Sequence, residues 1–326
     1  MVAVITLPRR TAPLPILPVR TSADLIARLA RTVQSAAVVE TEKLRLILAA
    51  LLARGHLLLE DVPGVGKTLV AKALAKSIAA DFKRVQCTPD LLPSDITGSN
   101  LYDQRRQEFV FVPGPLFAHI VLVDEINRAT PRTQSSLLEA LAEGQITTDG
   151  VTRPLGQPFF VIATQNPVET VGTFPLPEAQ LDRFLFSLSL GYPGAEGELL
   201  ILEREEHASP LDDLRPALSL DDILHLQESV LKVEVARPIK DYIVRLIGAT
   251  RAHPEVILGV SPRGGVALQR AAQALALLNG RDFAAPDDVK AAAPATMTHR
   301  LLTRARGFAA GEAVVKAVLE QVEVPV

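Results

Sequence analysis

DVPGVGKT, residues 61–68, lies between HLLLE at 56–60 and a run that continues LVAKALAKSIAA. The five residues ahead of it form a short apolar run with the character of a buried strand. Beyond it, Leu74 and Ile78 carry a helical period that opens near Lys67. A strand, a glycine-bearing loop and a helix in that order make a phosphate cradle, because the N–H groups of the turn and first helical turn converge on an anion. Gly64 and Gly66 permit the backbone turns, Lys67 supplies a point charge for the outer phosphates, and the Thr68 hydroxyl suits Mg²⁺. Val62, Pro63, Gly64, Val65, Gly66, Lys67, Thr68 and Leu69 are therefore expected to surround a nucleotide. The strict pattern wants glycine where this chain has Asp61, so the motif rests on its strand and helix context. The competing reading is a glycine turn that Lys and Thr follow by chance.

Outward from the loop, four more short runs read as strands buried in a sheet, at 82–87, 120–124, 159–164 and 184–190. Helical segments or loops separate them, as a parallel sheet with crossovers requires. Upstream, Leu25, Ile26, Leu29 and Val33 predict a helix over 22–39 with Thr21 or Ser22 as its cap, and a second helix follows over 42–52. A helix after the third strand has Thr130 as cap, Pro131 at its first position and Gly144 at its end. After GYPG at 191–194 only helical periods remain. Ser219 with Asp222 resembles a capping box, and a further helix opens at Ser261-Pro262 and runs to about Leu278. The expected fold class is α/β: a P-loop domain over 21–193, with a five-stranded parallel sheet between helices, followed by a small all-α domain over 194–326. Residues 1–20 read as an extended or disordered leader, since prolines interrupt them.

Composition narrows the class. The chain has 326 residues, 48% of them apolar, and 34 basic against 37 acidic side chains give a net charge of −3. That balance carries no global footprint for nucleic acid or an anionic membrane. Cys87 is the single cysteine, so no intrachain disulfide can form, and a buried core thiol is expected. No run is long and apolar enough to span a bilayer, and a cytoplasmic location is expected.

Two further strand ends carry chemistry. The run 120–124 closes on Asp124-Glu125, and acidic residues at the carboxyl edge of a parallel sheet face the ligand site. There Asp124 would hold Mg²⁺ and Glu125 would orient and deprotonate a water. An acidic pair that merely marks a strand end is the alternative. The next strand ends in Ala163-Thr164-Gln165-Asn166, where an amide could hold the attacking water or simply cap a turn before Pro167.

LLEDVPGVGKT, FVFVPGPLF, VLVDEINRA, SSLLEALAEGQIT and ATQNPVETVGTFPLPEAQLDRF together resemble the MoxR family of AAA+ ATPases, from about Val38 to beyond Arg263. Magnesium chelatase ATPase subunits and replicative helicase ATPases are more distantly similar. The resemblance implies that Lys67 and Thr68 form the Walker A pair, Asp124 and Glu125 the Walker B pair, and Asn166 the first sensor. It accounts for Asp61, since the family tolerates a non-glycine residue there. It makes Arg183, in LDRF, the arginine finger that reaches a neighbour's γ-phosphate, with Arg128 and Arg132 as further candidates for contacts between subunits. A surface ion pair of Arg183 with Asp182 or Glu178 is the competing reading. Arg263, in SPRGG, matches the second sensor, set on a helix of the lid; an ordinary solvent-facing arginine is its alternative.

The same resemblance implies ATP or ADP with Mg²⁺ as cofactors, a ring of six subunits, a remodelled protein client and a von Willebrand A domain partner. The span 90–115 looks like the family's helix-2 insert, and 145–158 reads as a hairpin with Asp149-Gly150 at its turn. That hairpin has Arg153 as its one basic residue, and Arg105 and Arg106 read as solvated, which argues against a DNA-tracking motor. One departure is Glu40-Thr41, where the family has a Gly-Gln pair near the adenine.

Overall fold

The computed structural model describes residues 16–166, 172–205, 210–305 and 307–325. Most of the expected leader, and the segment after Asn166, fall outside the described residues. Helix α1 (Val19–Ala36) buries Ile26, Leu29 and Val33 along one face, and α2 (Thr41–Leu52) follows. Neither Thr21 nor Ser22 caps α1. The Ser22 N–H donates to the Pro18 carbonyl at 2.9 Å, so a further turn forms upstream and Ser22 is buried within the helix. Pro18 is well suited to that boundary, having no N–H to leave unpaired.

The chain continues through β1 (Leu57–Glu60), α3 (Lys67–Ser77), β2 (Phe82–Gln86), α4 (Pro93–Thr97), β3 (Gly98–Asp103), β4 (Glu108–Pro113) and β5 (Ile120–Asp124). Then come α5 (Pro131–Glu143), β6 (Gln145–Thr148), β7 (Val151–Pro154), β8 (Phe160–Gln165), α6 (Glu178–Leu181) and β9 (Phe186–Leu188). Five strands form one parallel sheet in the order β2-β5-β8-β1-β9. Register sets the functional edge: Gln86 lies beside Asp124, Val123 beside Ala163, and Glu60 beside Gln165. The carboxyl ends of four strands therefore meet at one level, next to the loop that leaves β1.

Strand β9 is shorter than the 184–190 run. The Phe184 and Leu185 carbonyls accept from Arg300, and the Leu190 N–H donates to Asp61, so these flanking groups are withdrawn from strand pairing. The expected cap of α5 is present, with the Thr133 N–H donating to the Thr130 hydroxyl and Gly144 left-handed at the C-terminal end.

The helical part comprises α7 (Ala195–Glu205), α8 (Leu220–Lys232), α9 (Arg237–Ala252), α10 (Pro262–Leu278), α11 (Pro286–Met297) and α12 (Phe308–Gln321). Ser219 and Asp222 form the capping box of α8, and Ser261 caps α10. A short antiparallel ladder, β10 (Val256–Leu258) with β11 (Leu302–Thr303), lies among the helices; two or three residues give too little alternation to reveal it in the sequence. One face of the sheet, α1 to α3 and the helical part share a single apolar cluster that includes Leu29, Leu48, Leu74, Phe186, Leu226, Tyr242 and Leu268. The other face packs on α4 and α5 through Val121, Val123, Ile96 and Leu137, and Cys87 is buried there. Among the described residues no helix is long and apolar enough to cross a membrane.

The span 90–115 folds as α4 and the hairpin β3–β4, and the second hairpin β6–β7 turns at Asp149-Gly150, both left-handed at φ 52° and 75°. The hairpins are joined. The Asn100 amide donates to Asp149 Oδ2 at 2.6 Å, and the Arg153 guanidinium lies 3.8 Å above the Phe111 ring.

Candidate nucleotide site

The loop between β1 and α3 has the backbone its glycines predict. Gly64 and Gly66 adopt φ of +90° and +86°, and nothing lies within 4 Å of where a Cβ would stand at either, so the turn is open on its outer side. Lys67 opens α3, and its Nζ donates to the Asp61 carbonyl at 2.9 Å, which folds the side chain back over the loop. Burial pulls the Lys67 ammonium below its ordinary pKa, opposed by the negative charges of Asp61, Asp124 and Glu125. Strands β1 and β5 both pair with β8, which brings the loop after β1 and the acidic pair at the end of β5 to the same edge of the sheet.

Asp61 stands where the strict motif has glycine, and its carboxylate is turned away from the loop. It accepts from the Ser189 hydroxyl at 2.7 Å, the Leu190 N–H at 2.7 Å and the Gly191 N–H at 3.0 Å. The Lys43 ammonium holds the Leu190 carbonyl at 2.7 Å on the other side. The start of the glycine loop is therefore fastened to the turn that leads from β9 into the helical part.

Asp124 is buried at the end of β5, with Arg84 Nε at 2.6 Å from Oδ2 and the Thr164 hydroxyl at 3.3 Å from Oδ1. Glu125 takes a left-handed backbone, φ 56° and ψ 50°, uncommon for a side chain of this kind. Its N–H donates to the Thr164 hydroxyl at 2.9 Å, which holds that conformation, and strained positions of this sort concentrate at functional sites. The Glu125 carboxylate accepts from Gln86 Nε2 at 2.8 Å and Arg128 at 3.3 Å. Asn166 directly follows β8, whose Gln165 carbonyl accepts from the Asp61 N–H at 3.3 Å.

Arg84, Gln86 and Thr164 escaped the sequence reading as site residues. Arg84 and Gln86 sit two apart on β2 and so share a face, but only the pairing of β2 with β5 brings that face beside the acidic pair. Arg183 and Arg263 are not drawn into this cluster. Arg183 follows α6 and makes no ion pair with Asp182, whose carboxylate is taken by Arg300 at 2.6 Å and by the Ser261 hydroxyl at 3.1 Å. Arg263 is exposed on the first turn of α10, and its charge bears on Arg300 rather than on Lys67.

Residues 56–186 match the ATPase family associated with various cellular activities, and residues 248–321 match the AAA lid domain. The chain is 42% identical to the Chaperone MoxR1 of Mycobacterium tuberculosis, over 86% of this chain and 77% of that protein. The chain belongs to the MoxR-type AAA+ ATPases. An uncharacterised Bacillus subtilis protein, YeaC, is 55% identical over 86% of this chain and 89% of its own length. A solved structure of a Cytophaga hutchinsonii protein assigned as an ATPase superposes with a TM-score of 0.87 at 35% identity, covering 94% of this chain and 97% of that one. The AAA+ family accounts for the five-stranded parallel sheet and for the helical lid that follows it.

Proposed function

We propose that this chain binds ATP with Mg²⁺ and hydrolyses it, and that a ring of such subunits uses the motion of the lid to remodel a protein client. The observation that carries the reading is the open, left-handed glycine turn with the Lys67 side chain folded back over it at the start of α3, on the sheet edge where β5 ends in Asp124. A polyanion fits that arrangement: the turn presents N–H groups at the N-terminus of the 11-residue helix α3, and the Lys67 ammonium can leave the Asp61 carbonyl for a phosphate oxygen. Val62, Pro63, Val65 and Leu69 complete the wall around it.

Thr68 and Asp124 would hold Mg²⁺, which neutralises charge on the phosphates when bound. Among the described residues no cluster of three His, Cys, Asp or Glu side chains forms a metal cage; in this reading phosphate and water supply the remaining ligands. Glu125 takes a proton from the attacking water, and release from Gln86 and Arg128 frees its carboxylate to do so. Asn166 positions that water. Arg183 of one subunit offsets developing charge in the next, and Arg263 reports the nucleotide to the lid, with the α/β domain spanning 21–193 and the lid 194–326.

The likeness to a chaperone supports a protein client. In this reading the assembly is a cytoplasmic hexamer working with a von Willebrand A domain protein. A nucleic-acid track is disfavoured because Arg153, the basic residue of the β6–β7 hairpin, is engaged with Phe111. The test is Mg²⁺-dependent ATP turnover by the purified chain, with Glu125→Gln as control. The variant is expected to lose about 10²-fold or more in kcat while ATP affinity stays within a few fold. Normal turnover by Glu125→Gln would overturn its role as base, and no affinity for ATP or ADP by calorimetry would overturn the whole reading.

A further inference from the structure

Arg300 is a lid residue, only 6% exposed, that reaches into the loop carrying Arg183. Its Nε donates to Asp182 Oδ1 at 2.6 Å, and its two terminal nitrogens donate to the carbonyls of Asp182 at 3.2 Å, Phe184 at 2.6 Å and Leu185 at 3.1 Å. One guanidinium therefore binds the backbone on both sides of Arg183. Within the lid it also donates to the Thr296 carbonyl, and it lies 3.0 Å from His299 Nε2. A fork that makes this many bonds in a buried place fixes direction as well as distance.

The second oxygen of Asp182 accepts from the hydroxyl of Ser261, which also takes the Gly264 N–H at 3.1 Å as the cap of α10. Gly264 packs so closely that a Cβ there would come within 3.0 Å of Arg300 Cδ. The first turn of α10, which carries Arg263, is thus joined to Asp182 directly and through Arg300. Arg183 itself has no side-chain partner among the described residues, and its Nε is buried without one. Its placement comes from the backbone, held by the lid at Asp182 and Phe184 and by the sheet at Leu185, whose N–H donates to the His56 carbonyl at 2.8 Å.

We propose that Asp182, Arg300 and Ser261 are positioning residues that latch the lid to the Arg183 loop, so that the lid of one subunit sets the aim of its finger and hence hydrolysis in the next subunit. The inference rests on the reading of Arg183 as a finger acting on a neighbour. A contact at Arg263 moves the first turn of α10, and the latch passes that movement to Arg183 through a connected set of hydrogen bonds.

The experiment mixes variant subunits with Glu125→Gln subunits, which keep an intact finger but lack a base. Asp182→Asn alone is expected to lower kcat by about tenfold or more, with KM for ATP and nucleotide affinity within about twofold, because misaim affects turnover and not the subunit's own binding loop. Mixed with Glu125→Gln, Asp182→Asn subunits should regain activity, as Arg183→Ala subunits should. Rescue of Arg183→Ala without rescue of Asp182→Asn would overturn the latch while leaving the finger intact. Failure to rescue Arg183→Ala would remove the finger, and the latch with it. If Asp182→Asn does not fold, Ser261→Asp serves in its place: it keeps an acceptor to cap α10 but faces Asp182 with a like charge, and the same rescue is expected. Full activity of either folded variant on its own would overturn the proposal.

Discussion

The buried carboxylate of Asp61 accepts the backbone N–H of Leu190 at 2.7 Å, joining the start of the glycine loop to the exit of β9 across 129 residues of sequence. Replacing Asp61 by glycine would restore the strict loop pattern, yet it would strip the Leu190 and Gly191 N–H groups and the Ser189 hydroxyl of their acceptor. The Leu190 N–H is buried and costs roughly 1–3 kcal/mol when unpaired, whereas the Ser189 hydroxyl and Gly191 N–H reach water, so Asp61→Gly is expected to lower stability by about 1–3 kcal/mol. Urea denaturation measures this. A variant as stable as the parent would show that water replaces the carboxylate.

Arg84 holds Asp124 at 2.6 Å and is itself half-exposed. On the proposed function, Mg²⁺ bound through Asp124 shares that carboxylate with a guanidinium. Arg84→Ala should therefore lower the Mg²⁺ concentration that gives half-maximal turnover, by about threefold for a partly screened charge. A higher requirement for Mg²⁺ would mean instead that Arg84 orients Asp124 for the metal.

His56 is fully buried, donating through Nε2 to the Leu141 carbonyl at 3.1 Å and accepting the Val161 N–H on Nδ1 at 3.1 Å, and burial lowers its pKa to about 4. The unfolded chain takes up this proton near pH 6.5 while the folded chain refuses it until about pH 4, so stability falls as pH falls through that window. His299, also buried and also depressed, acts in the same direction. Compared with His56→Gln, the parent should lose about 3 kcal/mol of its stability advantage between pH 6.5 and 4, at 1.36 kcal/mol per unit. A difference that does not vary with pH would place the ring in contact with water.

Cys87 lies under α4 and α5, and burial together with the charges of Asp124 and Glu125 pushes its thiol up to about 12. Thiol reagents act on the thiolate, so maleimide labelling of the folded chain at pH 8 should be slower than that of the denatured chain by roughly 10²-fold or more. Equal rates would contradict the burial of this strand end.

The phosphate loop, the acidic pair and the strand-and-helix alternation are properties of neighbours in sequence. A glycine turn, a capping residue or a run of β-branched and apolar side chains acts within a few residues, so residues 61–68, the cap at Thr130 and the capping box at Ser219 could be read from the letters alone. The family resemblance extended that reading to the lid, and the match to the AAA lid domain over 248–321 agrees with it.

Tertiary structure decided what crosses between elements. Arg84 and Gln86 became partners of Asp124 and Glu125 through the pairing of β2 with β5. Asp61 acquired its role from a turn far along the chain, and Arg300 from a loop that precedes the lid. Helix α1 starts upstream of Ser22 because the Pro18 carbonyl accepts the Ser22 N–H and closes a further turn. A charged side chain bears no mark of the partner that will bury it, since the same arginine is solvated on one surface and paired in another. Local chemistry is written in sequence order; the choice of partner is made only when the sheet closes and the lid packs against it.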